Sequence, residues 1–385
     1  VSSLLAPPLA LYVHLPWCVR KCPYCDFNSH RLPADPPFAA YVDALLADLE
    51  QDLASLPEPR PLVSVFLGGG TPSLFPPEEI GRLLAGIRAR LPLTPEAEIT
   101  LEANPGTPER GRFAAYRSAG VNRFSLGVQS FDRASLAALG RIHGPEEAEA
   151  ALAELAAEAP ARFNVDLMWG LPGQDPALAR ADLDRALAHS PAHLSHYQLT
   201  LEPGTPFARR PPPLPEEEWL LAIESACRVR LEEAGLRRYE VSAYARPGAE
   251  SVHNLNYWRY GDYLGIGAGA HGKITHAAED RIVRTVKIAH PGAYLRASGG
   301  EGRLSSVTEV AGQERIFEFL LNALRLIEGF PFALFEQRTG MARSLLLPRL
   351  DLLAERGLIE YDQHQARASP RGLELLNEIL SAFLP

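Results

Sequence analysis

Leu9-Ala-Leu-Tyr12-Val-His14-Leu15-Pro-Trp17-Cys18-Val-Arg-Lys-Cys22-Pro-Tyr24-Cys25 is an apolar run that empties into three cysteines. The run from Leu9 to Leu15 reads as a buried strand, and the spacing after it is C-x3-C-x2-C. Thiolates this close in the chain can converge on one soft metal centre. Three are one too few for a closed tetrahedral site. A four-iron cluster ordinarily takes four thiolates, so a cluster held by these three keeps one iron open.

Working outward, the same plan recurs: an apolar strand, a polar or glycine-rich end, then a helix. Leu62-Val-Ser-Val-Phe-Leu67 runs into Gly68-Gly69-Gly70-Thr71-Pro72, and Glu98-Ile-Thr-Leu101 into Glu102-Ala-Asn104-Pro105. Asn122 to Leu126 ends at Gly127-Val-Gln129-Ser-Phe131, Phe163 to Met168 carries Asp166 and meets Gly170-Leu-Pro-Gly173, and Leu194 to Leu199 carries Gln198. Between them lie helical patterns, such as Tyr41, Leu45, Leu46, Leu49 and Leu53 on one face, and Ile80, Leu83, Leu84 and Ile87 after Pro76-Pro77. Repeated βα units mean parallel strands with helices outside. A doubly wound sheet needs only one or two decorated crevices. A barrel gathers every strand end at one mouth. Glu102, Gln129 and Asp166 together therefore predict an α/β fold built on a partial (β/α) barrel.

The chain has 385 residues, 46% hydrophobic, which is ample for a large core and two domains. A net charge of −9 argues against a nucleic-acid partner. Four cysteines, three of them clustered, form no disulfide framework and suit a reducing, cytoplasmic setting. No apolar run is long enough for a transmembrane segment. The opening Val1-Ser-Ser-Leu-Leu-Ala-Pro-Pro lacks a basic region, so no signal peptide is expected.

Residues 1–247 read as the barrel core. Residues 248–305 read as a loop-rich connection holding His253-Asn-Leu-Asn-Tyr257-Trp258 (HNxxYW) and Gly265-x-Gly267-x-Gly269. The glycines lack the helix that a nucleotide fingerprint requires, which favours a packing turn. Residues 306–385 read as a smaller α+β winged-helix-like domain: helix 314–326, helix 342–356, strand 357–361 and a last helix from Pro370. With eleven acids to eight arginines, this unit reads as a structural cap, not a DNA reader.

The trio in its Y-V-H-L-P-W-C context, then G-G-G-T-P, E-x-N-P and G-V-Q-S-F in that order, resembles the radical S-adenosylmethionine (SAM) superfamily. More narrowly it is similar to the oxygen-independent coproporphyrinogen III oxidase family and its HemW-type heme chaperone branch. The resemblance implies a radical SAM type of partial barrel and a [4Fe–4S] cluster on Cys18, Cys22 and Cys25. The open iron would chelate S-adenosylmethionine, whose reductive cleavage yields a 5′-deoxyadenosyl radical. It further implies Gly69, Gly70 and Thr71 against the methionine part, Glu102 at its amino end and Arg141 at its carboxylate. Gln129 and Asp166 fall to the ribose, and Tyr12 and Tyr24 near cluster and adenine. Flavodoxin or ferredoxin would supply the electron.

Phe27 stands where the dehydrogenase branch carries a further cysteine, and that branch also has a longer N-terminal segment; both point away from coproporphyrinogen oxidation. The chaperone branch implies heme as cargo, heme-acceptor proteins as partners, and His253 as a candidate heme contact. The alternatives are a coproporphyrinogen oxidase-type radical enzyme of porphyrin biosynthesis, and a zinc-stabilised scaffold whose fourth ligand is His14, His30 or Cys227. Cys227, amid Leu221, Ile223 and Val229, reads instead as a buried inert thiol.

Overall fold

The computed structural model describes residues 4–106, 111–158, 163–297 and 300–384. Among them, one sheet holds β1 (Leu9–Leu15), β2 (Leu62–Gly69), β3 (Leu93–Ala103), β4 (Arg123–Gln129), β5 (Phe163–Trp169), β6 (His193–Gln198), β7 (Arg237–Glu240), β8 (Ala243–Ala245), β9 (Asp262–Ile266), β10 (His271–His276), β11 (Arg281–Lys287) and β12 (Leu304–Val310). Its order is β12-β11-β10-β9-β1-β2-β3-β4-β5-β6-β8-β7. From β9 through β6 every neighbour is parallel; the flanking strands at both ends are antiparallel. The parallel run is one strand longer than the six units expected, and the order is open, as a partial barrel requires.

Alternation sorts the two faces of the sheet. Leu9, Leu11, Val13 and Leu15 of β1, Val65 and Leu67 of β2, and Phe124, Leu126 and Val128 of β4 are fully buried in one core. That core also takes Tyr41, Leu45 and Leu49 of α1 (Phe38–Ala54) and Ile80, Leu83, Leu84 and Ile87 of α2 (Pro77–Arg90). The intervening residues share the opposite face: Tyr12 and His14, Phe66, Glu98 and Glu102, Ser125 and Gln129, Asn164 and Asp166. There the hydrogen bonds run between strands, from Asn164 to Ser125 (2.8 Å) and from Ser125 to Asp166 (3.1 Å).

Residues 248–305 are not loop-rich. His253 to Trp258 lie in α3 (Val252–Trp258), and the glycine stretch begins as β9, paired on β1 with Tyr12 opposite Gly265. The helix exists because Ser251 caps it and because the buried Glu98 carboxylate of β3 accepts from Ser251 Oγ (3.2 Å) and from the amides of Val252 (3.2 Å) and His253 (3.1 Å). An acid at a helix N-terminus is favourable there, and its partner is a strand more than a hundred residues away in the chain, invisible to local pattern. Gly267, at φ +104°, would set a Cβ 2.4 Å from the His14 carbonyl, so this is a packing turn.

Ser306–Val310 also belong to the main sheet, as part of β12 paired on β11. The tail after it holds α4 (Gln313–Ala323), α5 (Phe332–Thr339) and α6 (Leu347–Glu355), with a small sheet of Phe330–Pro331, Gln365–Ala368 and Ile359–Tyr361. Helix α5 was absent from the sequence expectation. A second core of Ile316, Phe319, Phe330, Phe335, Leu350 and Phe383 holds this unit, joined by Tyr260 from the turn after α3 and by Ile282 and Val310 from the main sheet. Among the described residues no helix is long and apolar enough to cross a membrane.

Candidate functional site

The cysteine loop is laced to the strand ends by backbone. Gly70 N–H donates to the Leu15 carbonyl and Thr71 N–H to that of Trp17, each at 2.8 Å, while Trp17–Cys18 pairs with His30–Arg31. Trp17 anchors the loop by stacking on Phe75 (5.5 Å) and meeting Tyr41 (4.9 Å). A Cβ on Gly70 would lie 2.6 Å from the Trp17 carbonyl oxygen, so only glycine allows this approach. Asn28 ties the far end of the loop down, donating to the carbonyls of Ala268 (2.9 Å) and Ala289 (2.8 Å).

His14 supports the loop from beneath. Its Nε2 faces the Asn28 carbonyl at 2.9 Å and therefore carries the proton, leaving Nδ1 to accept from the Tyr12 hydroxyl at 3.0 Å. Burial lowers its pKa to about 4, which keeps the ring neutral.

Cys18, Cys22 and Cys25 are free thiols and half-buried. An open cleft lies beside Cys22, walled by Arg20, Cys22, Thr71, Asn104, Arg141 and His143. Arg141 reaches toward Cys22 Sγ (3.8 Å) and donates to the Asn104 side-chain carbonyl (2.5 Å) and the Gly127 carbonyl (2.6 Å). Thr71 donates to Cys18 Sγ at 3.4 Å. Burial pushes the Cys18 thiol up, and the Thr71 hydroxyl opposes it. Tyr24 sits beside Arg141 and Cys22, its ring 6.4 Å from Phe207.

The carboxylates are on the inward strand face. Glu102 accepts the Gly69 N–H at 3.0 Å; burial first, then Asp166, raises its pKa to about 7. Asp166 accepts from Ser125 (3.1 Å) and Asn164 (2.7 Å), and burial raises it as well. Both acids are half-buried and feel the charge of Arg123, and among the described residues neither has a cation within ion-pair distance, which leaves a place for a cationic ligand. Gln129 is buried with φ +70°, a strained conformation for a non-glycine residue. Its Oε1 accepts from the Tyr197 hydroxyl at 2.6 Å, which turns its amide NH2 away from that contact.

The structure thus gathers Cys18, Cys22, Thr71 and Arg141 through direct contacts, with Gly69, Gly70, Glu102, Gln129 and Asp166 on the adjoining strand ends. His253 makes none of these contacts, and its ring lies 6.5 Å from that of Tyr12. The His253 ring is 2% exposed, stacked on Phe66 (4.8 Å), edge-on to Tyr257 (4.7 Å) and bonded through Nδ1 to Ser64 (2.9 Å). Burial lowers its pKa to about 3, and among the described residues its Nε2 has no hydrogen-bond partner. Two residues without an expected role enter the site. Asn104 was legible as part of E-x-N-P, and Tyr197 supplies the inward hydroxyl where Gln198, the polar residue expected to end β6, is exposed.

The chemistry of the donor set suits an iron–sulfur cluster: three free soft thiols, Cys18 facing the Thr71 hydroxyl and Cys22 the Arg141 guanidinium, although among the described residues no group of three His, Cys, Asp or Glu side chains is placed to hold a single metal ion. The expected fourth ligands for zinc are committed elsewhere. His14 and His30 bond to Asn28 (2.9 and 3.0 Å), and Cys227 is buried in the core with Ile223 and Leu231, its thiol pushed up to about 12.

Residues 12–186 match the radical SAM superfamily model, and residues 310–375 match the HemN C-terminal domain. The chain is 48% identical to the heme chaperone HemW of Escherichia coli K12 and 46% identical to that of Haemophilus influenzae, covering 98% of each chain in both cases. It is 36% identical to the mouse mitochondrial radical S-adenosyl methionine domain-containing protein 1, over 100% of this chain and 91% of that one. The solved E. coli coproporphyrinogen III oxidase HemN shares the fold at a TM-score of 0.81 with 23% identity, over 98% of this chain and 90% of the other.

Proposed function

Because this chain belongs to the HemW heme chaperone family of the radical SAM superfamily, we propose that it carries a [4Fe–4S] cluster and S-adenosylmethionine in the cleft, binds heme, and passes heme to acceptor proteins. What carries the reading is end-to-end similarity to proteins named as heme chaperones, joined to a loop of three free thiols in which Cys18 meets Thr71 and Cys22 meets Arg141.

Cys18, Cys22 and Cys25 would each hold one iron. The bound pair supplies one-electron chemistry at a sulfonium. The chain's own groups bind and orient: Glu102 takes the ammonium end, Arg141 the carboxylate end, Gln129 and Asp166 the ribose hydroxyls. Gly69 and Gly70 let the backbone come close, and Tyr12 and Tyr24 close the walls. A low-potential carrier such as flavodoxin or ferredoxin would deliver the electron in a reducing, cytoplasmic setting. His253 is the heme candidate through its unpartnered Nε2.

Porphyrinogen oxidation is the second reading, supported by fold alone. Against it, Phe27 stands where the dehydrogenase branch carries cysteine and is 62% exposed. Anaerobic reconstitution with iron and sulfide, followed by separate additions of hemin and coproporphyrinogen, decides the matter. Cluster absorption, cleavage of S-adenosylmethionine, stoichiometric heme binding and no decarboxylated porphyrin are expected. Protoporphyrinogen as product would overturn the chaperone reading.

A further inference from the structure

The strongest unassigned feature is a continuous hydrogen-bond chain from a guanidinium to a cysteine sulfur. Arg141 Nη2 lies 2.5 Å from Asn104 Oδ1, Asn104 Nδ2 lies 3.0 Å from Thr71 Oγ1, and Thr71 Oγ1 lies 3.4 Å from Cys18 Sγ. Its direction follows from donor inventory. Arginine has donors only, so the amide atom that meets it is the carbonyl oxygen. The NH2 of Asn104 must then face Thr71 and donate to its oxygen. A hydroxyl has one hydrogen, and with its oxygen accepting from Asn104 that hydrogen is left for Cys18.

We propose that Asn104 is a positioning residue that, by aiming the Thr71 hydroxyl at Cys18 Sγ, sets the potential at which a cluster on this cysteine accepts its electron. The inference rests on the reading that the trio holds a [4Fe–4S] cluster. Hydrogen bonds to the sulfurs are among the terms that set such potentials. A donor on the sulfur favours the more negative, reduced core, so it raises the potential. The step is one electron from a mediated reductant into the oxidised core, with no bond made or broken in the protein.

The test is an EPR-monitored redox titration of the reconstituted protein before S-adenosylmethionine is added. Thr71→Val keeps the side-chain shape without the hydroxyl. Asn104→Asp keeps an acceptor for Arg141 but has no hydrogen for Thr71, and its second oxygen draws the hydroxyl away from Cys18. Each variant is expected to lower the reduced-to-oxidised ratio at a fixed poise by about tenfold, ~59 mV for one electron. Thr71→Ser, which retains the hydroxyl, restores the parent ratio.

The double variant separates orientation from added charge. In the Thr71→Val background the effect of Asn104→Asp is expected to fall to less than half; an equal or larger effect overturns the proposal, as does an unchanged potential in Thr71→Val. A second readout needs no shift in potential: the parent cluster shows an exchangeable proton coupling by ENDOR that Thr71→Val lacks, and its persistence in that variant overturns the proposal too. Failure of the parent protein to take up iron sinks the cluster reading itself. A loaded parent whose variants titrate with it sinks only this inference.

Discussion

The Glu102 carboxylate accepts the backbone N–H of Gly69 at 3.0 Å and lies close enough to Asp166 to feel its charge. One hydrogen bond does not offset burial beside a second acid, so the pKa rises to about 7. Native protein thus prefers Glu102 protonated. Its effect on stability is a loss as pH climbs from the ordinary carboxylate value toward about 7. Ligand binding has the opposite sign. An ammonium group needs the ionised form, so affinity for S-adenosylmethionine is expected to fall as pH drops through about 7, with proton release on binding. Calorimetry in buffers of different ionisation enthalpy reads that release; Glu102→Gln should abolish it and weaken binding above about pH 7, the difference from the parent closing as pH falls below that value.

Cys22 faces both the cleft and Arg141. Cys22→Ala is expected to abolish stable cluster uptake while the far-ultraviolet circular dichroism is unchanged, since the core does not depend on this side chain. Iron and sulfide analysis checks it, and a full complement of four irons in the variant would show that the ligand assignment is wrong.

Gly70→Ala sets a methyl group against backbone, 2.6 Å from the Trp17 oxygen. Backbone cannot rotate out of the way as a side chain does, so the Gly70–Leu15 and Thr71–Trp17 hydrogen bonds must stretch. We expect a cost of about 1–3 kcal/mol, typical of overpacking, seen as a lower denaturation midpoint. Cluster occupancy should fall with it. A midpoint equal to the parent's would mean that the loop is not held as described.

His253→Ala removes a buried ring from between Phe66 and Tyr257 and leaves Ser64 without its partner. A destabilisation of about 2–5 kcal/mol follows from cavity formation. If His253 also contacts heme, the absorption spectrum of the heme-loaded protein changes. His253→Phe fills the space without a nitrogen and separates the two effects: a parent-like heme spectrum in that variant excludes ligation at this position.

Much of the barrel was legible because its signals are local. The six parallel strands from Leu9 to Gln198 are apolar runs bounded by glycine or polar residues, and α1 and α2 keep a clear helical period. The cysteine spacing marks its own chemistry, and Glu102, Gln129 and Asp166 stand out as polar residues closing buried strands. Residues 248–305 were misread because their order comes from distant partners: β9 exists by pairing with β1, and α3 by the carboxylate of Glu98 at its N-terminus. Tyr197 was passed over for Gln198 because one residue of strand register decides which side chain points inward.

The order of motifs along the chain determined by itself the family, the parallel α/β plan and the three thiols, since each depends on residue types at fixed short spacings. Only the tertiary structure decided that Asn104 links Arg141 to Thr71, that Asp166 lies near enough to act on Glu102, and that His253 is enclosed by aromatic rings. Those relationships are distances between residues far apart in sequence, and only the order and register of the sheet's strands bring them together.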